Sequence, residues 1–337
     1  PEELFAIIEG MISDIFKIIG KDVQPGFKQM PYREAMDSYG TDKPDLRIPF
    51  KIQDFTESAG KLESHILDGI ITDGGKIKGL VFPDAAKYSR KVLDNLNQFM
   101  REVGGKGVVW IKNSDNGFKA SLKADPAKLE SLYQENQIDP THIVFLIGDK
   151  ENQALTLAGR LRDHLGKDYM DKDKLEFLWV VDFPLFFYNE DEDRFDSNHH
   201  PFTSPHLDQV ELLETEPLKV NSIAYDLVLN GVEIGGGSRR INDLELQKKI
   251  FSLLNLSEEE TQNKFGFFLD ALSFGAPPHL GIALGLDRVL MLMTEEESIR
   301  EVIAFPKTTS SLCMLTGSPS EVSEQQLQEL KIQTLIK

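Results

Sequence analysis

The chain has 337 residues, enough for about two domains, and its 40% hydrophobic and 27% charged residues are typical of a globular protein. No run of about 18 or more apolar residues occurs, which excludes a membrane-spanning helix. The formal net charge of −18 opposes non-specific binding to nucleic acid, although it leaves room for a local basic patch. The one cysteine, Cys313, leaves no partner for an intrachain disulfide and fits a reducing, cytoplasmic compartment. An organellar origin is the alternative.

The first predicted elements are helical. Apolar residues recur at helical spacing through residues 4–19, and residues 32–39 are predicted to form a short helix that ends at Gly40. The charged segment TDKPDLR at 41–47 follows, and its proline favours a loop over a helix interior.

Residues 48–174 mix strands and helices and are predicted to form an α+β unit of their own. The predicted strands are 79–82, 107–111 and 142–147, and the predicted helices are 84–103, 126–135 and 152–165. Asp84 is the predicted N-cap of the first helix, whose apolar face comprises Tyr88, Val92, Leu96, Phe99 and Met100. This unit contains no recognisable catalytic constellation.

Within the segment AYDLVLNGVEIGGGSRR at 224–240, residues 225–237 are predicted to form a β-hairpin. The signal is Asn230-Gly231 between two alternating apolar runs, because a type I′ turn needs positive φ at both central residues. With strict alternation Asp226 lies opposite Gly235. Asp226 and Glu233 then share one face of the sheet, roughly 7 Å apart at Cα.

Two carboxylates on one face repel each other unless a cation lies between them. A magnesium ion that bridges phosphates takes one or two carboxylates together with phosphate oxygens, so Asp226 and Glu233 are candidate ligands of such an ion. The alternative is an ordinary antiparallel sheet on which both acids are simply exposed.

The three consecutive glycines Gly235, Gly236 and Gly237 are costly in a strand because they pack no side chain and lose backbone entropy. One interpretation is that a flat ligand lies against their backbone, and the alternative is a β-bulge without a ligand. Strict alternation puts Arg239 on the face of Glu233, whereas a bulge in the glycines would put Arg240 there.

A helix is predicted from Ser257, which can form a capping box with Glu260, to Leu272. The segment GIALGLDR at 281–288 is predicted to be a strand that leads into a helix reaching residue 293. Arg288 then lies in the first turn of that helix. A cation there is unfavourable against the helix dipole, unless an anion binds to the helix end and the guanidinium together. The alternative is that Arg288 pairs with Asp287 or with another surface acid. The hairpin and the strand at 281–285 are expected to lie side by side in one mostly antiparallel sheet, with Asp226, Glu233 and Arg288 open to a common pocket.

The hairpin and this strand–helix pair, in this order, resemble the third signature motif of class II aminoacyl-tRNA synthetases and the strand pair before it. Five further segments resemble the bacterial type of aspartyl-tRNA synthetase, and they are TDKPDLR at 41–47, WVVDFP at 179–184, HHPFTSP at 199–205, FGF at 265–267 and AFPK at 304–307. The resemblance runs from about Glu2 to the C-terminus.

The resemblance implies an α+β fold, with part of the antiparallel-sheet catalytic domain of class II synthetases in residues 1–57 and 170–337. Residues 58–169 are similar to that family's insertion domain, a GAD-like domain shared with tRNA-dependent amidotransferases. The implied activity is an ATP-dependent ligase: the carboxylate of L-aspartate attacks the α-phosphate of ATP, and the resulting aspartyl-adenylate gives its aspartyl group to tRNA(Asp), or also to tRNA(Asn). A homodimer without membrane attachment is implied for the full-length protein.

On the ATP side, the resemblance assigns Asp226 and Glu233 to Mg²⁺ and the ATP phosphates. Arg288 matches the arginine that contacts the γ-phosphate, with Gly285 and Asp287 beside it in the ATP site. Glu233 and Arg288 are the implied catalytic residues.

On the amino-acid side, Arg240 matches the arginine that recognises the side chain of aspartate. His199 and His200 match a histidine pair beside the substrate. The glycines at 235–237 match the floor of the amino-acid and adenylate site.

The family's pattern begins well before Pro1, so the chain is expected to be the C-terminal part of a longer protein and to be inactive alone. An anticodon-binding barrel and the first two signature motifs are expected to precede it. A non-catalytic paralogue that serves as a binding or regulatory module is the alternative function, although it has no reason to retain Asp226, Glu233, Arg240 and Arg288. An asparagine-forming relative is a further alternative, which the insertion domain and Arg240 disfavour.

Overall fold

The computed structural model describes residues 1–115 and 117–335. They form two compact units, Pro1–Leu284 and Gly285–Lys337. The strands of the first unit are β1 (Lys28–Pro31), β2 (Gln53–Asp54), β3 (Lys76–Phe82), β4 (Val109–Ser114), β5 (Gly117–Ala120), β6 (Ile143–Asp149), β7 (Phe177–Val181), β8 (Phe186–Asn189), β9 (Arg194–Ser197), β10 (Ala224–Leu229), β11 (Val232–Arg239) and β12 (Leu280–Leu284). Its α-helices are α1 (Glu2–Lys17), α2 (Tyr32–Tyr39), α3 (Thr56–Gly60), α4 (His65–Thr72), α5 (Arg90–Glu102), α6 (Pro126–Glu135), α7 (Glu151–Gly166), α8 (Leu244–Leu253) and α9 (Glu258–Ser273). Short 3₁₀ turns cover Ala85–Lys87, Lys167–Tyr169, Leu207–Glu214 and Pro217–Lys219.

The sheet that contains the hairpin has the strand order β1-β7-β10-β11-β12. Strands β1 and β7 are parallel, and every other pair in this sheet is antiparallel. Strand β12 pairs directly with β11, with Ala283 opposite Gly236. The prediction that the hairpin and the 281–284 strand lie side by side is therefore confirmed.

Helix α1 covers one face of this sheet. The ring of Phe5 stacks on Trp179 at a centroid distance of 4.1 Å and meets Tyr225 edge-on at 5.1 Å. Glu9 fixes the contact, because its carboxylate accepts from the Trp179 indole at 2.8 Å and from the backbone N–H of Gly26 at 2.6 Å. Helix α1 therefore covers this face around Trp179 and Tyr225.

On the opposite face, helix α2 packs through Ala35 and Tyr39 on apolar residues that include Val180 and Val228. The helix ends at Gly40, whose φ of 69° lies in the left-handed region, as the sequence predicts. It covers only part of the face and leaves the surroundings of Asp226 open.

The hairpin turns at residues 230–231, whose φ values of 52° and 82° fit the predicted type I′ turn. The pairing then departs from strict alternation: Leu227 lies opposite Gly235 and Asp226 opposite Gly236. Ile234 is the extra residue of a β-bulge. The predicted pairing of Asp226 with Gly235 is therefore wrong by one residue.

A second antiparallel sheet has the order β2-β3-β6-β4-β5. Apolar residues of α5 and α7 cover one of its faces, and apolar residues of α3, α4 and α6 contribute to the core on the other. Whether residues 58–169 form an independent insertion domain stays a prediction.

Helix α5 begins later than the sequence predicts. Asp84 has a positive φ of 58° and precedes a 3₁₀ turn, and Ser89 caps the helix by accepting from the N–H of Val92 at 3.5 Å. The buried face of the helix consists of Leu93, Leu96 and Met100, and Val92 is exposed. Asp84 was the wrong N-cap because the chain makes an extra turn before the helix starts.

The two sheets are joined where α2 meets α7. A Cβ atom on Gly40 would run into the backbone oxygen of Leu155, and a Cβ atom on Gly159 would lie 2.6 Å from the carbonyl oxygen of Tyr39. Such close contact of two backbones requires glycine on both sides. The junction is therefore tightly packed.

Helix α9 starts with the predicted capping box of Ser257 and Glu260. The second unit contains α10 (Leu286–Met293), α11 (Glu324–Glu329) and a 3₁₀ turn at Ile299–Glu301. Helix α10 follows Gly285 directly, as predicted, whereas α11 was not predicted. Within the described residues, no helix has the length and apolar character needed to cross a bilayer.

Candidate active site

A cavity of about 530 Å³ opens on the α2 side of the first sheet. Asp226 from β10, Glu233 and Gly236 from β11, and Ala283 from β12 contribute to its lining. The glycine floor and the two acids that the sequence singled out therefore border one concave site.

The β-bulge decides which arginine faces this cavity. Because one residue of β11 is unpaired, Gly236, Ser238 and Arg240 lie on the same side of the sheet as Asp226. Arg240 lines the cavity, and its Nη1 donates to the hydroxyl of Ser238 at 3.1 Å. Of the two arrangements left open by the sequence, the one with Arg240 is found.

The carboxylates of Asp226 and Glu233 converge above Gly236. A Cβ atom built on Gly236 would lie 2.6 Å from Oδ1 of Asp226 and 3.4 Å from Oε1 of Glu233. The predicted shared face of the two acids is confirmed, although the register that produces it differs from the predicted one.

The electrostatics of this pair favour a bound cation. Burial, and then the negative charges of Glu233 and Asp42, raise the pKa of Asp226 to about 7, while Lys43 opposes the shift. Near neutral pH the carboxyl group is thus half protonated in the isolated chain. A cation between the acids would favour the ionised form.

Each of the three glycines of β11 is explained by a different close contact. A Cβ atom on Gly235 would lie 2.6 Å from Cδ2 of Leu284, and one on Gly237 would run into the carbonyl oxygen of Gly281. Both residues therefore allow close pairing with β12, while Gly236 makes room for the acids. Gly236 and Gly237 also line the cavity, and a role of the three glycines in substrate binding stays a prediction.

The segment after β9 brings a histidine pair to the cavity. It runs beside the end of β11, where the N–H of Ser204 donates to the carbonyl of Arg239 at 2.9 Å and the N–H of Ile241 to that of Phe202 at 3.0 Å. The Phe202 ring is anchored in a cluster with Phe251, Phe265 and Phe268, with centroid distances of 6.0, 5.4 and 4.9 Å.

His199 and His200 both line the cavity, and their place beside the substrate stays a prediction. The His200 ring lies against the guanidinium of Arg240, whose Nη1 contacts Nε2 of the ring and lies 3.2 Å from Nδ1. Burial, the positive charge of Arg240 and the neighbouring His199 lower the pKa of His200 to about 4. Because arginine keeps its charge, the cavity presents a cation beside a neutral imidazole at one place and two acids at another.

The cavity also contains side chains that the sequence analysis did not single out, among them Tyr32, Asp42 and Asn198. Asp42 belongs to the TDKPDLR segment, and Asn198 directly precedes the histidine pair. Both segments carried the family resemblance, which was the available signal. Tyr32 had none, because only the packing of α2 brings it to the site.

The remaining predicted residues belong to the second unit. Gly285 caps α10, and Asp287 and Arg288 lie in its first turn. The stem of Arg288 folds back over the helix start, since its Cδ is 3.4 Å from the position of a Cβ on Gly285. The shared pocket of Arg288 with Asp226 and Glu233 stays a prediction.

Among the described residues, no group of three or more His, Cys, Asp or Glu side chains could hold a metal ion by itself. The pair Asp226 and Glu233 instead supplies oxygen ligands of the kind that Mg²⁺ shares with a phosphate ligand. Burial, together with the nearby charge of Glu233, raises the pKa of Asp226, and a carboxylate in such surroundings is compensated by a bound cation.

The family model for class II tRNA synthetases (D, K and N) matches residues 1–309, and the chain belongs to this family. Its mixed α/β architecture with antiparallel sheets confirms the predicted fold class. The chain is 45% identical to an aspartate–tRNA(Asp/Asn) ligase of Protochlamydia amoebophila and 44% identical to an aspartate–tRNA ligase of Staphylococcus epidermidis, in each case over 98% of its residues. It spans 56% and 57% of the lengths of these two relatives. A solved aspartyl-tRNA synthetase from Entamoeba histolytica covers 45% of this chain and 26% of its own length at 24% identity, with a TM-score of 0.31 that is too low to add to the assignment.

Proposed function

We propose that the protein containing this chain is an aspartate–tRNA ligase. It joins L-aspartate to ATP, which gives aspartyl-adenylate and pyrophosphate, and transfers the aspartyl group to tRNA(Asp), with tRNA(Asn) as a second acceptor to be tested. The observation that carries the proposal is the guanidinium of Arg240, which the bulge places on the same face as Asp226 and Glu233.

Arg240 is suited to select an acidic side chain. A guanidinium binds a carboxylate through two parallel hydrogen bonds, and burial strengthens that interaction. A substrate amide would leave the cation uncompensated, which is costly away from water. Since His200 beside it is neutral, it adds no second positive charge and can orient the guanidinium and the substrate.

Asp226 and Glu233 form the phosphate side of the site. We assign them to a Mg²⁺ ion that arrives with ATP and neutralises the charge of its phosphates. The raised pKa of Asp226 makes this binding dependent on pH, because the proton must leave before the carboxylate can coordinate. Gly236 keeps the space above the strand open.

The start of α10 is proposed to bind a phosphate of ATP, because a helix N-terminus and the Arg288 guanidinium together favour an anion. Gly285 and Asp287 are assigned to the binding of the same phosphate. Residues 58–169 are proposed to be an insertion domain, and the whole protein a cytoplasmic homodimer.

Aspartate-dependent exchange of labelled pyrophosphate into ATP, measured on the natural protein, tests the proposal. Arg240→Gln should lower kcat/KM for aspartate about 30-fold to 4,000-fold, the equivalent of about 2–5 kcal/mol for an unpaired buried carboxylate. The matched control is Arg239→Gln, one residue away on the other side of the strand, which should change it little. Equal effects of the two substitutions, or no exchange with the wild type, would contradict the proposal.

A further inference from the structure

Arg162 on helix α7 is a charged side chain that is completely buried, with 0% of its surface exposed. Its guanidinium donates three hydrogen bonds to backbone carbonyl oxygens. Nε reaches Phe50 at 2.7 Å, and Nη2 reaches Asp45 at 2.8 Å and Ile48 at 2.7 Å. All three acceptors belong to one loop, which joins α2 to β2.

The surroundings compensate the buried charge. Nη1 of Arg162 pairs with Asp163 at 2.9 Å, and its Cζ lies 4.8 Å from the centre of the Tyr39 ring. An apolar side chain could fill the same space without the cost of burying an ion. An apolar side chain, however, cannot donate hydrogen bonds, whereas the rigid, planar guanidinium donates to several carbonyl groups at once.

Helix α7, which carries Arg162, is held in place by its contact with α2. Arg162 follows Gly159 by three residues, so both lie on the same side of α7. At Gly159 the backbone of α7 touches the end of α2, and neither Gly159 nor Gly40 has space for a Cβ atom. Arg162 therefore reaches the loop from a fixed position.

The loop that it holds leads into the candidate active site. Asp42 lines the cavity, and its charge contributes to the raised pKa of Asp226, which Lys43 opposes. The loop also supports the hairpin, because a Cβ atom on Gly231 would lie 3.1 Å from Cβ of Asp45. A shift of this loop would thus change the geometry around the acids.

We propose that Arg162 is a positioning residue for the activation of the amino acid: from α7 it fixes the backbone of residues 45–50, and thereby the place of Asp42 at the cavity. Helix α7 packs on the second sheet, whereas the candidate active site lies on the sheet that contains the hairpin. The proposal therefore gives a helix of the second sheet an influence on the candidate active site. The kinetic part of this inference rests on the proposed function, whereas its structural part does not.

The structural part is tested by amide hydrogen exchange in the natural protein. Arg162→Gln removes the charge and the fork, and Arg162→Lys keeps the charge but offers a single nitrogen. Both should accelerate exchange within residues 42–50, where the N–H groups of Arg47 and Ile48 are hydrogen-bonded inside the loop. Arg160→Gln, on the exposed side of the same helix, is the matched control and should leave exchange in this segment unchanged.

The kinetic part is tested by aspartate-dependent pyrophosphate exchange at a temperature at which each variant is folded. Displacement of Asp42 by about 1 Å should lower kcat/KM for aspartate about 100-fold in Arg162→Lys and Arg162→Gln. Asp42→Asn should then add little to either variant, because both changes act through the same carboxylate.

The outcomes separate the two proposals. Unchanged exchange in residues 42–50, or effects of Asp42→Asn and Arg162→Lys that multiply as independent factors, would overturn the positioning role. Without any aspartate-dependent activity in the wild type, the proposed function fails, and the hydrogen exchange data still decide whether Arg162 holds the loop.

Discussion

The raised pKa of Asp226 leads to a prediction in which stability and function oppose each other. The pKa rises from its ordinary value of 3.8 to about 7 because the carboxylate is buried near Glu233 and Asp42. A carboxyl group with a raised pKa in the folded state binds its proton more tightly there than in the unfolded chain. Its ionisation therefore destabilises the fold increasingly as the pH rises from about 4 to 7, and the full cost remains above pH 7.

Asp226→Asn removes this cost while keeping the shape of the side chain. The full shift corresponds to about 4 kcal/mol, and solvent access to the partly exposed carboxylate reduces this to about 2 kcal/mol at pH 8. At pH 5 the folded state is mostly protonated, so the difference between variant and wild type should be smaller. The variant should thus melt several degrees higher than the wild type at pH 8, and its advantage should shrink at pH 5.

Thermal unfolding of the metal-free protein at the two pH values measures this difference. Asp94→Asn, which changes an exposed carboxylate on α5, is the control and should shift the melting temperature little at either pH. The same Asp226→Asn variant should lose most of the aspartate-dependent pyrophosphate exchange, because a neutral amide oxygen binds Mg²⁺ much more weakly than a carboxylate does. A variant that is no more stable than the wild type at pH 8 would refute the reasoning.

Two further predictions concern glycines that have matched controls in the chain. Gly237→Ala should destabilise the fold by about 1–3 kcal/mol because its Cβ runs into the Gly281 carbonyl, whereas Gly281→Ala, with nothing within 4 Å of its Cβ, should cost less than about 0.5 kcal/mol in urea unfolding. Gly40→Ala should cost about 1–3 kcal/mol more than Gly20→Ala, since both have positive φ (69° and 73°) but only Gly40 meets a second backbone. Equal free energies of unfolding within either pair would contradict the close contacts.

The features that the sequence predicts well depend on local interactions. The Asn230-Gly231 turn, the end of α2 at Gly40 and the capping box at Ser257 each need only residues close in the chain, and all three are found. The predicted start of α5 was wrong because it depends on more than local interactions. Asp84 and Ser89 both can cap a helix, and the packing of the intervening turn, which no local pattern reveals, selects Ser89.

The candidate site was predicted from the sequence only in part. The two acids and the glycines follow from one hairpin, whereas Tyr32 and Asp42 reach the cavity because α2 packs across distant strands. The bulge is a similar case. The three glycines indicate that the strand tolerates a bulge in this region. The position of the bulge depends on contacts with β12 and with the two acids, which are distant in the sequence.

The position of the bulge has a chemical consequence for the whole strand. In a regular strand, side chains alternate, so Glu233 would share its face with Arg239 and have Arg240 behind it. With one extra residue before the glycines, an acid and an arginine seven positions apart lie on the same side of the sheet. In the proposed function, the hairpin would then serve two parts of one reaction, with its carboxylates directed to the metal and the phosphates of ATP and its guanidinium directed to the side chain of aspartate. The backbone hydrogen bonds of the hairpin thus hold two positions of opposite charge at a fixed spacing. Under the proposed function, a spacing fixed in this way would help the site to discriminate between aspartate and its amide.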